Sequence, residues 1–270
     1  MVYLKTIFTK KSELDLIRIQ ILEIGHIIDN IILIEPSFNH NGSSRELIGF
    51  SDLFDLDQNL INKIIYVVVP KFDFIKFSKE AKKHHYYETI TRGFFAKQLN
   101  LKNSDIIIST DADEILYENI VSDYIKKLKN SYFPIKRYVF DLYQFFYKYT
   151  LYSNTHSFIA PGIYHYGSRF LEIDFYLKGY INWRYKGKIV KGKCGVHFSW
   201  IQPIEDLIYK ALNWSHSSEF SLNETEIRDK IRDDIKTKQY SFREEPILLD
   251  VIEINNKIWP KSFKKNYGSS

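Results

Sequence analysis

Up to about Tyr132, apolar and polar positions along the chain alternate in blocks with two different periods. Val2 to Phe8 is a short apolar run. It is followed by Ser12-Glu13-Leu14-Asp15, where Ser12 can cap a helix and Asp15, three residues on, can complete a capping box. Apolar residues then recur at helical spacing at Leu14, Ile17, Ile21 and Ile24, and Gly25 is a natural stop. Ile27 to Ile34 is β-branched and nearly continuous, as expected for a strand covered on both faces by helices. Ile64 to Val69 repeats that signature and ends at Pro70; Ile106 to Ile108 repeats it again, after a helical stretch from about Ser78 to Leu101. Buried strands separated by helices predict an α/β fold built on one doubly wound, mostly parallel sheet with flanking helices. Sheets of this class bind ligands beyond the carboxyl ends of their strands.

Beyond Tyr132 the pattern turns aromatic, with Gly and Pro punctuation, in YVFDLYQFFYKY, PGIYHYGSRF and GYINWRYKGK. These segments are expected to be strands and long loops that extend the sheet. Helical periodicity returns at Ile204 to Asn213 and at Glu224 to Lys236. With neither an internal repeat nor a linker, residues 1–265 are expected to form a single domain, followed by a disordered tail at 266–270.

Composition narrows the chemistry. Of 270 residues, 44% are hydrophobic and 16% aromatic, which places the chain among globular proteins. Basic residues exceed acidic ones by 38 to 33, for a net charge of +5, a mild excess that suits a phosphate-bearing ligand. They are spread along the chain rather than gathered into a stripe, which argues against nucleic acid. Cys194 is the single cysteine, so an intramolecular disulfide and thiolate metal sites are excluded. Any metal must be held by carboxylates, histidine and water, which favours Mg²⁺ or Mn²⁺ over structural zinc. No apolar run approaches the roughly 20 residues that span a bilayer, and the N-terminus reads as a strand rather than a secretion signal. A soluble, cytoplasmic protein without a transmembrane segment is expected.

The stretch IIISTDADEI, Ile106 to Ile115, sets Asp111 and Asp113 just beyond a buried strand. In an extended backbone, alternation points both carboxylates the same way, where they could share a hard divalent cation with phosphate oxygens. The plainer alternative is a pair of solvated or helix-capping acids. A phosphatase of the haloacid-dehalogenase type also uses Asp-x-Asp after an apolar strand. It normally carries the motif on its first strand and has Thr or Val where this chain has Ile115. A sugar-binding protein without turnover is a further alternative; it would keep aromatic side chains but need neither a metal nor a base.

Several motifs in order resemble glycosyltransferase family 17, the family of the β-1,4-mannosyl-glycoprotein β-1,4-N-acetylglucosaminyltransferases and their bacterial and viral relatives. The resemblance runs from about Phe8 to Phe220. It comprises SELDLIRIQ with Glu13, Leu14, Asp15 and Arg18; EPSFNHNG; Glu88 to Arg92; SDIIISTDADEIL; GVHFSW; and KALNWSHSSE. Pro36, Asn39, Leu116 and Val196 stand where the family usually has Ser, Thr, Pro and Trp.

The resemblance implies a GT-A type fold with an aromatic-rich acceptor region. It also implies an inverting, metal-dependent transfer of a sugar, foremost GlcNAc from UDP-GlcNAc, to a glycan hydroxyl. The implied partners are a nucleotide-sugar donor, most simply a UDP-sugar, and a glycan acceptor. Implied donor-binding residues are Glu35 and His40 at base and ribose, with Arg92, Asp111, Ala112 and Asp113 at the diphosphate. Mn²⁺ or Mg²⁺ would be held by Asp111, Asp113 and His197, with His216 a weaker candidate. Ile204-Glu205-Asp206 fits the x-Glu-Asp motif of inverting enzymes, which makes Glu205, then Asp206, the candidate base; Asp174 and Glu172 follow. Tyr143, Phe146, Tyr164, Trp183 and Trp200 could stack on sugar rings. Asp15 with Arg18, and Glu88 with Arg92, have the spacing of plain helical ion pairs.

Overall fold

In the computed structural model the described residues are 1–39, 42–71, 83–131, 137–167, 187–213, 222–243, 245–253 and 257–267. The expected parallel sheet is present as β1 (Val2–Ile7), β2 (Asn30–Pro36), β3 (Ile64–Val69) and β4 (Ile106–Ser109), paired in the order β3-β2-β1-β4. Between β1 and β4 the strand order reverses, so the crevice at their carboxyl ends is the place where this sheet class takes ligands. Side chains alternate strictly between the faces. Leu4, Ile31, Leu33, Ile106 and Ile108 pack with Leu14, Ile17, Ile21 and Ile24 of α1 (Glu13–Ile24), while Ile32, Ile34 and Ile107 pack with Tyr87, Ile90 and Phe95 on the other face. Each such fully buried aliphatic side chain contributes about 1.5–3 kcal/mol relative to an exposed one.

The aromatic segments extend this sheet with mostly antiparallel pairings, β6 and β8 being parallel to each other. The strand β5 (Glu114–Leu116) pairs with β8 (Lys188–Trp200); β6 (Arg137–Phe146) lies between β8 and β7 (Leu151–His165); and β7 closes on β4. A short β11 (Asp250–Val251) adds to β7, and β9 (Gln239–Tyr240) pairs with β10 (Ile247–Leu248) in a separate ribbon. The remaining helices are α2 (Gln58–Ile61), α3 (Lys83–Gly93), α4 (Phe95–Gln98), α5 (Glu118–Lys129), α6 (Ile204–Asn213), α7 (Glu224–Thr237) and α8 (Lys261–Tyr267). Among the described residues no helix is long and apolar enough to cross a membrane.

Several expectations are corrected. The capping box at Ser12 does not form: Ser12 makes no cap bond, and the Glu13 carboxylate instead reaches back to the amides of Thr9 and Lys10. Residues Gly25–Ile27 make a 3-10 turn rather than the start of β2, which begins at Asn30 and runs through Glu35 and Pro36. Gly25 caps α1 in a right-handed helical conformation, φ −61°, rather than the left-handed one of a glycine stop, and the site is tight, since a Cβ there would lie 3.1 Å from Leu60. The long helix expected to Leu101 breaks at Phe94 into α3 and α4, and its beginning at Ser78 lies outside the described residues. At the other end α8 runs to Tyr267, into the expected tail. Phe146, Tyr164 and Trp200 are each about 1% exposed and belong to the core rather than to a sugar-facing surface. Tyr143 is half-buried against Tyr152, and Trp183 lies outside the described residues.

Docking of β5 on β8 depends on Gly195, because a Cβ at that position would lie 2.2 Å from the carbonyl oxygen of Ile115 and 2.9 Å from Cα of Leu116. Backbone cannot give way as a side-chain tip can. Gly195→Ala is therefore expected to destabilise the protein by about 3 kcal/mol, at the upper end of overpacking penalties. Denaturant unfolding of the variant beside the parent checks this.

Candidate active site

The chain leaves β4 at Ser109 and enters β5 at Glu114, and the four residues between them form a tight turn at the switch point. The turn is tied to β1 by Thr110 N–H donating to Lys5 O and Ala112 N–H to Ile7 O. It closes on itself: the Glu114 carboxylate accepts from the Asp111 amide at 2.8 Å, and the Glu114 amide donates to Asp111 O. Beneath it Gln20 of α1, fully buried, donates to Thr110 Oγ1 and to Glu114 O. Ala112 carries no ligand-facing group on its side chain, since its methyl packs in the core and its N–H is engaged.

Because the backbone turns here, the two aspartates do not share a direction, which corrects the extended geometry expected from alternation. Asp111 faces Arg92 of α3, which donates from Nη1 at 2.6 Å and Nη2 at 2.9 Å to its two carboxylate oxygens and also holds Glu88 at 3.1 Å. Burial opposes the charge on Arg92, but Asp111 and Glu88 hold its pKa well above the usual guanidinium value. Arg92 thus holds both oxygens of Asp111 as well as the Glu88 expected from helical spacing. Asp113 has different partners: His197 of β8, with Nε2 3.5 Å from Oδ1, and Lys210 of α6, with Nζ 3.3 Å from Oδ2. Burial by itself would raise the Asp113 pKa, yet Lys210 and His197 hold it below the ordinary carboxylate value.

The structure brings Asp113, Glu114 and His197 together, with one ligand atom of each within 4.8 Å of the others. This group contains Asp113 and His197, two of the three expected metal ligands, together with Glu114; Asp111, the third, is held by Arg92. Oxygen, oxygen and imidazole nitrogen are donors that suit Mg²⁺ or Mn²⁺. His197 is placed by the sheet itself, opposite Glu114 on β5 and Gln144 on β6, and its ring stacks on Phe158 at 3.7 Å between centroids.

The β1–α1 loop and α6 complete the site. Lys10 is buried, its ammonium on the carbonyl of Asp206 and over the Tyr209 ring. Burial first, and neighbouring Lys210 second, lower its pKa to about 8. Ser12 donates its hydroxyl to the Asp206 carboxylate. Glu205 turns away from the site: its carboxylate is 68% exposed and receives both Arg228 nitrogens of α7, at 2.6 and 2.7 Å. That pairing lowers its pKa, and it gives the favoured candidate base a helix-to-helix role on the surface.

Glu35 is likewise corrected. It lies on β2 rather than in the following loop and is 0% exposed. Its oxygens accept from Arg45, the amides of Ile48 and Gly49, and the Tyr66 hydroxyl. All four bonds shape the loop after β2, and none is left for a nucleotide. Arg18 pairs with Asp55 and the Asp52 carbonyl rather than with Asp15. His40, His216, Asp174 and Glu172 lie outside the described residues. Glu13, Glu114, Lys10 and Lys210 had no role assigned from sequence; the available signals were the fourth letter of DADE and the first of KALNWSHSSE.

Glu13 is wholly buried, and burial first raises its pKa. A carboxylate with a raised folded-state pKa contributes full stability below its unfolded value, and loses it as pH rises through the folded one. Glu13→Gln keeps an acceptor for the Thr9 and Lys10 amides without the charge. The variant should match the parent near pH 4 and have the higher thermal midpoint at pH 8, by calorimetry across that range.

No curated protein matches the chain in sequence. Solved structures similar to it include 4-diphosphocytidyl-2C-methyl-D-erythritol synthase, with TM-score 0.40 and 10% identity over 78% of this chain and 98% of that one. Another is S. aureus TarS, with TM-score 0.37 and 12% identity over 90% of this chain and 44% of that one. A third is glucosyl-3-phosphoglycerate synthase from Mycobacterium tuberculosis in complex with Mn²⁺, UDP and phosphoglyceric acid, with TM-score 0.34 and 11% identity over 77% and 73%. The model of Glycosyltransferase family 17 matches residues 2–252, and the chain belongs to that family.

Proposed function

We propose that this protein transfers a sugar from a nucleotide-diphosphate sugar, UDP-GlcNAc foremost, to a glycan hydroxyl with inversion, assisted by Mn²⁺ or Mg²⁺. The observation that carries the reading is the convergence of Asp113, Glu114 and His197 at the switch point of the parallel sheet, in a member of a glycosyltransferase family. Asp113 and His197 would hold the ion, with Glu114 beside them; once bound, such an ion neutralises charge on a departing diphosphate. Asp111, locked by Arg92, fixes the turn that presents Asp113.

Of the two adjacent acids on α6, Asp206 is the one that faces the site, through Ser12 and the Lys10 that contacts its carbonyl. We assign it the base role in place of Glu205: its carboxylate takes the proton of the acceptor hydroxyl as the sugar bond forms. Lone carboxylate bases typically contribute about 10²- to 10⁴-fold in rate.

A haloacid-dehalogenase reaction would need Asp111 free to attack phosphorus, whereas both of its oxygens are engaged by Arg92. A sugar-binding protein without turnover would have no use for the buried acidic cluster. Nucleotide release from several nucleotide sugars with Mn²⁺ separates the transferase from both.

Asp113→Ala is expected to abolish Mn²⁺-dependent binding of UDP, measured by calorimetry with and without the ion, while circular dichroism stays that of the parent. Unchanged binding would remove the metal assignment. For the base, Asp206→Asn should lower kcat by about two to four orders of magnitude with donor affinity kept, and Glu205→Gln should leave kcat near normal. Steady-state transfer rates for the pair decide it, and the reverse order would restore Glu205.

A further inference from the structure

Asp113 already has a cation on it. Lys210 Nζ lies 3.3 Å from Oδ2 and donates to the carbonyl of Ser199, and the side chain is only 19% exposed. A divalent ion held by Asp113 and His197 would share that carboxylate with an ammonium group. Two positive groups a few ångströms apart in a largely dry site repel far more strongly than they would in water. A second lysine, buried Lys10, belongs to the same cluster, and burial and neighbouring Lys210 disfavour its charged form. On the other side of the balance stands Glu114, buried beside Asp113 and His197.

With Lys210 on Asp113, an entering ion is favoured further when a new anion is present to receive the ammonium. A diphosphate is such an anion. Lys210 is suited to receive it, since its compact charge sits on a flexible four-carbon stem that can leave one oxygen for another. It is anchored on α6, the helix that also carries Asp206.

We propose that Lys210 is a diphosphate-binding residue that occupies Asp113 in the unloaded protein and moves to the phosphate oxygens when metal and donor enter, so that the two ligands bind in mutual dependence through this one side chain. The inference rests on the metal-dependent donor binding proposed above. Linkage makes the dependence reciprocal: whatever Lys210 costs the lone ion, the diphosphate returns.

Two separate binding measurements test it, neither needing turnover. Mn²⁺ alone is titrated by the loss of its free-ion paramagnetic resonance signal, and inorganic pyrophosphate alone, in EDTA, by calorimetry. Lys210→Gln removes the charge and keeps a donor for the Ser199 carbonyl. It should bind Mn²⁺ about tenfold more tightly and pyrophosphate about tenfold more weakly, as expected for a charged hydrogen bond gained by one ligand and lost by the other. Lys210→Arg, which keeps the charge, should hold pyrophosphate and bind Mn²⁺ no better than the parent, and it serves alone if the Gln variant does not fold. An arginine variant that gains Mn²⁺ affinity or loses pyrophosphate would overturn the proposal. So would a Gln variant in which both affinities fall together, or neither moves. Asp113→Ala run in the Mn²⁺ arm separates the failures: Mn²⁺ affinity that survives it sinks the metal reading, whereas affinity lost there but unmoved by Lys210→Gln sinks only the role of Lys210.

Discussion

Burying carboxylates together at the end of a sheet is possible only if cations come to meet them, and this requirement organises the molecule. Asp111, Asp113 and Glu114 are contiguous on one turn, with Asp113 and Glu114 almost wholly buried. Removing an ion from water costs several kcal/mol unless a partner and hydrogen bonds offset it. The partners come from three distant parts of the chain: Arg92 from α3, His197 from β8 and Lys210 from α6. The parallel half of the sheet thus supplies the acids, and the later strands and helices supply most of the counter-charge. The long-range ion pairs also hold the two halves of the fold in register around the site.

The mixed extension does more than enlarge the sheet. Its ladder sets Ser153, Gln144, His197 and Glu114 opposite one another on four adjacent strands, each no more than 5% exposed. Alternation would place core side chains at these positions, and polar ones appear instead, in a row that ends at the acidic turn. His197 therefore reaches Asp113 through strand register, with Phe158 against its ring face, rather than through a loop that could wander. Sites built on strands keep their geometry better than sites built on loops.

Much of this was legible in the sequence where burial alone decided the outcome. The run Ile64 to Val69 is a strand with those same bounds, and the helix from Ile204 to Asn213 is likewise as expected. Boundaries failed where an apolar run passed from one structure into another: Ile27 belongs to a 3-10 turn and Ile31 to β2, yet hydrophobicity is the same in both. The site failed differently. Period-two alternation holds only in extended backbone, so the turn at Ala112 separated two aspartates that the sequence had aligned. Neighbouring acids on a helix point about 100° apart, and nothing local says which of Glu205 and Asp206 meets Arg228 and which meets Ser12. Glu35 resembled a loop residue because the strand that buries it carries on through a proline.

The two aspartates of the motif consequently have unlike chemistry. Asp111 is gripped at two points by a guanidinium that is 9% exposed and cannot lose its proton, a pairing whose disruption would leave a buried charge unmatched. Asp113 is met at longer range, 3.3 Å from an ammonium and 3.5 Å from an imidazole, each at a single oxygen. A carboxylate bound in the first way is part of the frame. One bound in the second way is available to a competing cation. The two residues of the Asp-x-Asp motif thus have different partners: the arginine-locked one builds the turn, and the turn carries its neighbour to an ammonium and an imidazole.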